Sequence, residues 1–178
     1  MAVPSKAMRL RPQDILILLK LSLQGGDWTY ERVARELGLS TSAVHRSVER
    51  ASAAGLFSKG RRTVKRQAFV EFLVHGFRFV FPPDWGGEAR GVPTAWAAPP
   101  LSKKLSASGK NPPVWPDPHG EAFGIALKPL DPRVPQAVRR DKGLGELLAL
   151  VDAIRIGGAR ERGLAAKELE KRLEKGRR

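Results

Sequence analysis

The sequence predicts a mainly α protein with a small β component. Apolar residues recur at three- and four-residue spacing near both ends of the chain, the pattern of amphipathic helices. Prolines are segregated: residues 1–81 hold 2, residues 82–135 hold 12 and residues 136–178 hold none. Proline removes a backbone donor and disfavours helix in the residue before it, so the middle third must be loops, extended segments and short strands. At 178 residues and 42% hydrophobic content, the chain is long and apolar enough to bury a core. The expected organisation is a helical N-terminal domain over 1–81, an irregular Pro/Trp-rich segment over 82–135 and C-terminal helices over 136–178. No internal repeat is present.

The first helix begins near Pro12, because a missing N–H costs little at an early helical position. Ile15, Leu18, Leu19 and Leu23 form its apolar stripe; Leu16 and Ile17 broaden it, and Gly25-Gly26 ends it. A second helix begins after Asp27 or Thr29 and places Val33, Ala34 and Leu37 on one face. Gly38 follows, where a positive φ is often required to leave a helix. Leu39 returns to the core. Ser40 is suited to cap a third helix, since its oxygen can accept from a free N–H. Val44, Val48 and Ala51 mark the buried face of that helix, and Gly55 closes it.

Helix, short glycine-containing turn, helix is the helix-turn-helix signature. The stretch "TYERVARELGLSTSAVHRSVERASAAGLF" resembles the DNA-binding segment of bacterial winged helix-turn-helix regulators of the MarR type. The resemblance rests on the Gly38-Leu39-Ser40 turn, on Val44 and Val48, and on Ala54-Gly55-Leu56 at the exit. It covers roughly residues 10–66, about a third of the chain. It implies a winged helix-turn-helix over 1–81 that binds double-stranded DNA, generally as a homodimer.

With Val44, Val48 and Ala51 inward, Thr41, Ser42, His45, Arg46 and Arg50 are expected outward or sideways. In such folds the N-terminal half of this helix enters the major groove. Arg46 could then make a bidentate contact with guanine, Thr41 and Ser42 could bond a base or a phosphate, and His45 could do either. The plain alternative is the solvated face of an amphipathic helix.

"LFSKGRRTVKR" then offers two short β-prone pieces and five cations without an acid: Lys59, Arg61, Arg62, Lys65 and Arg66. It fits the two-stranded wing of the family it resembles, and such a tip suits phosphate or the minor groove. "RQAFVEFLVHG" suggests a helix capped by Gly76, although alternation over Ala68, Val70, Phe72 and Val74 also fits a strand; "FRFVF", residues 77–81, reads as a strand. Trp85, Trp96, Trp115 and Phe123 in the middle third argue for order, either packed on the rest of the chain or docking a protein partner. In the tail, Leu144, Leu147, Leu148, Val151 and Ile154 form one helical stripe. After Gly157-Gly158, Leu164, Ala165, Leu169 and Leu173 form another. These helices either complete the core or dimerise the chain.

Lys and Arg number 32 and Asp and Glu 18, a net charge of +14 that attracts polyanions. Nucleic acid is the first candidate and an anionic membrane surface the second. Cysteine is absent, which excludes disulfides and thiolate metal sites. No apolar run approaches the ~20 residues of a membrane span, and no secretory leader is read, so a cytoplasmic protein is expected. His45, His75 and His119 show no metal-ligand spacing, and Asp117-Pro118-His119 reads as a turn. No phosphate-binding loop, Gly-x-Ser-x-Gly elbow or complete dinucleotide fingerprint occurs. The expected function is therefore binding without chemistry or cofactor: a sequence-specific transcriptional regulator. The competing expectation is a protein-interaction module, such as a partner-binding, self-regulating antitoxin.

Overall fold

A computed structural model describes residues 9–105 and 111–175. It is a mixed α/β architecture in which helix dominates. Helix α1 (Pro12–Gln24) carries its apolar stripe into the centre of the molecule, and Ile15 to Leu19 are fully buried. Helix α2 (Tyr30–Leu37) starts where the Thr29 hydroxyl accepts the Arg32 N–H at 3.1 Å. It ends at Gly38, whose φ of 67° lets the Leu39 N–H return to the Ala34 carbonyl at 2.8 Å. Helix α3 (Thr41–Ala53) starts at Ser40, whose hydroxyl accepts the Ala43 N–H at 3.2 Å. Val44, Val48 and Ala51 are buried, as their spacing predicts.

A short hairpin follows, with strands β1 (Phe57–Ser58) and β2 (Thr63–Val64) antiparallel and Phe57 opposite Val64. The next stretch corrects the expected strand at 77–81. Helix α4 (Arg66–Glu71) runs through a π turn (Phe72–Gly76) into helix α5 (Phe77–Val80). Gly76 does not end the helix; its φ is −113°, in the right-handed region. The physical reason is packing. Phe69, Leu73 and Phe77 recur every four residues and are all fully buried. A straight α-helix would drift them around its axis by about 40° per step, and the wider π turn brings them back to one face. Phe77 then packs edge-on to Phe72 at 6.1 Å and against Phe81 at 5.5 Å.

The proline-rich third is ordered where described. Strands β3 (Trp85–Pro93), β4 (Pro113–Pro116) and β5 (Ala122–Leu127) form a small closed sheet. Strand β3 is antiparallel to both others, with Val92 opposite Trp115 and Arg90 opposite Phe123, while β4 and β5 are parallel. Closing three strands forces backbones together: a Cβ on Gly124 would lie 1.9 Å from the Pro112 carbonyl oxygen, so only glycine fits there.

Helices α6 (Val134–Arg140), α7 (Lys142–Ile156) and α8 (Ala159–Lys175) complete the fold. Helix α6 starts inside the segment expected to be irregular, with Pro135 in its tolerated first turn. The apolar stripe of α7 and the inner face of α8 are buried within the chain's own core, one continuous cluster that also takes in α1 and α3. These stripes therefore complete the core. Asp152 of α7 ties the middle segment down. Its Oδ2 accepts the Thr94 hydroxyl at 2.8 Å and the Trp115 indole N–H at 2.7 Å, while Arg155 lies 3.1 Å from Oδ1. Burial pushes the Asp152 carboxyl up, opposed by Arg155, Thr94 and Trp115. Trp115 is thus packed, Trp96 is half-buried, and Trp85 and Phe123 are exposed.

Candidate nucleic-acid interface

The exposed side of α3 carries Ser42, His45 and Arg46, with Thr41 half-buried at its first turn. Ser42 lies 3.2 Å from the Ser40 hydroxyl. Arg46 is exposed and makes no ion pair among the described residues. His45 stacks on Tyr30, with ring centroids 3.5 Å apart and planes 12° apart. Tyr30 is a member of this surface that sequence reasoning missed; its signal was an aromatic residue directly after the Thr29 cap, at the start of α2.

Arg50 does not belong to the interface, contrary to the expectation from helical spacing. It is 5% exposed, and its guanidinium grips Asp14 of α1: Nε to Oδ2 at 2.8 Å and Nη2 to Oδ1 at 2.6 Å. Asp14 is 0% exposed and also accepts the Arg11 N–H at 2.8 Å. The hydrogen bonds that Arg50 donates to Asp14 raise the Arg50 pKa, against desolvation. The sequence signal for this pair was an acid heading the apolar stripe of the first helix, where a carboxylate needs a cation. A second buried cation, Lys20, pairs with Asp141 at 2.6 Å and Glu36 at 2.8 Å.

The hairpin cations divide by what they touch. Arg61 at the tip and Lys65 at its base are exposed and make no ion pair among the described residues. Lys59 is exposed but bonded to Glu49, which links the hairpin to α3. Arg62, although exposed, lies against Trp28. Its guanidinium lies 4.7 Å over the indole and donates to the Trp28 carbonyl at 2.8 Å. Its own carbonyl accepts the Trp28 Nε1–H at 2.9 Å. Arg62 itself adopts a left-handed φ of 54°. Arg66 reaches the other way, 3.5 Å from the Leu173 carbonyl in the last turn of α8, where a cation complements the helix dipole. Arg66 and, from an exposed position, Arg62 thus make contacts within the chain, while Ser42, His45, Arg46, Lys59, Arg61 and Lys65 are exposed and Thr41 is half-buried.

The other chemistry considered from the sequence resolves as structure. Asp117 accepts the His119 N–H at 2.8 Å, closing the expected turn, and pairs with Arg139 at 2.5 Å. No group of three or more metal-ligating side chains occurs among the described residues, and no helix among them is long and apolar enough to cross a membrane. No protein-family model, curated protein or solved structure matches the chain.

Proposed function

We propose that the chain is a sequence-specific DNA-binding transcriptional regulator of winged helix-turn-helix type. The observation that carries this reading is the exposed row Ser42, His45 and Arg46 on α3, beside a hairpin whose Arg61 is unpaired among the described residues. Helix α3 would lie in the major groove, with Arg46 on a guanine edge. Arg61, Lys65 and, after release from Glu49, Lys59 would meet flanking phosphates. The +14 net charge supplies the long-range attraction that brings the chain to DNA. Two copies would present two reading helices to a pseudo-palindromic site whose halves lie about one turn apart.

The test is selection from a random duplex pool at near-physiological salt, with the wild type beside Arg46→Ala. The expected result is an inverted repeat that enriches with wild type and loses preference at one base position with the variant. Binding that enriches nothing and vanishes with added salt would reject the reading. A second reading, a protein-binding module such as an antitoxin-type autoregulator, is favoured by exposed large apolar side chains: Phe79, Val80, Trp85 and Phe123. It predicts a stable complex with a protein partner that Phe123→Ser or Trp85→Ser weakens.

A further inference from the structure

The stack of His45 on Tyr30 is one link in a longer chain of contacts. Tyr30 meets Trp28 edge-on at 5.0 Å, and the Arg62 guanidinium lies 5.9 Å from the Tyr30 ring. Trp28 is bonded to Arg62 through both its carbonyl and its indole N–H. Contact therefore runs unbroken from the hairpin turn, through Trp28 and Tyr30, to an exposed side chain on the outer face of α3. An exposed histidine on a helix ordinarily samples several rotamers. A ring lying flat on a half-buried tyrosine favours one of them, because leaving the stack uncovers the facing sides of both rings. A side chain ordered before binding loses less entropy on binding, and its edge points in one direction.

We propose that Tyr30 is a positioning residue that holds the His45 imidazole for contact with a single base position, and that Arg62 and Trp28 couple the hairpin to that contact. The proposal rests on the DNA-binding reading above. A neutral imidazole offers one donor and one acceptor, so the geometry assigns the position that is read and leaves either edge type open. A tyrosine that merely filled space would affect stability and leave the pattern of base preference untouched.

The experiment is duplex selection with wild type, His45→Ala, Tyr30→Leu and Tyr30→Phe, with the salt dependence of binding measured for each. His45→Ala is expected to lose about tenfold in preference at one position. Tyr30→Leu loses preference at that same position, while the remaining positions and the salt slope are unchanged. Tyr30→Phe, which keeps the ring, keeps the wild-type motif. A Tyr30→Leu motif identical to wild type overturns the proposal alone. A wild type that enriches nothing overturns the regulator reading and the proposal with it. One measurement needs no variant: in the free wild-type protein, the His45 ring protons are expected to be shifted upfield by the Tyr30 ring. Unshifted resonances would overturn the stack on which the proposal stands.

Discussion

Replacing Arg50 with alanine tests whether this cation is structural or belongs to the proposed DNA-binding surface. In the wild type, two hydrogen bonds of 2.8 and 2.6 Å join its guanidinium to Asp14, which is 0% exposed. After the replacement, Asp14 keeps only the Arg11 N–H at 2.8 Å. One carboxylate oxygen is then buried without a donor and the charge without a partner. Breaking a buried pair this way costs about 3–5 kcal/mol. Whole domains are stable by only about 5–15 kcal/mol, so the loss is a large share of the total. Equilibrium urea unfolding, followed by helical circular dichroism and tryptophan fluorescence, reads it directly. With a slope near 2 kcal/mol/M, the midpoint falls by about 1.5–2.5 M. Removing both charges, as Asp14→Leu with Arg50→Met, is expected to recover much of the loss, because the uncompensated carboxylate disappears. An Arg50→Ala protein within about 1 kcal/mol of wild type, yet defective in DNA binding, would refute the assignment and return Arg50 to the proposed DNA-binding surface.

The hairpin makes a second prediction: Lys59→Ala with Arg61→Ala lowers affinity alike on all sequences and reduces the salt slope by up to about 2, roughly 0.9 for each phosphate no longer neutralised. An unchanged slope would remove the hairpin tip from the DNA-binding surface. Acid sensitivity supplies a third. The hydrogen bond from Lys20 holds the Glu36 carboxyl below its ordinary value, against burial and with help from Arg32. A folded pKa below the unfolded one gives stability that is present above the ordinary carboxylate range, about pH 4.3, and lost as pH falls through the folded value. Wild type is therefore expected to lose more stability than Glu36→Gln between pH 6 and pH 3, measured by urea midpoints. Equal losses would refute a contribution from this pair.

Much of the N-terminal region was legible in the sequence because its signals are local. Pro12, the Thr29 and Ser40 caps, the left-handed Gly38 and the Val44–Val48 spacing each act on backbone groups within one or two turns. The three-helix order and the following hairpin are built from such signals. The break at Gly157 and the stripes of α7 and α8 were legible for the same reason. The candidate interface was legible only in part. Ser42, His45 and Arg46 are outward as helical phase requires, but phase could not say where a long flexible cation ends.

What the sequence by itself determined is where helices start and stop, which face each one buries, and a basic charge that favours polyanions. Only the tertiary structure decided the fate of individual side chains. Arg50 is buried because α1 brings Asp14 to it across 36 residues of sequence. Arg62 packs its guanidinium on Trp28, 34 residues away. Residues 77–80 are helical because Phe77 must reach the same core as Phe69 and Leu73. Strands β3, β4 and β5 close on one another through backbone approaches that carry no periodic signature. Periodicity and capping report interactions within a few residues; a buried charge, a stacked ring or a closed sheet depends on a partner distant in the chain, and only folding supplies it.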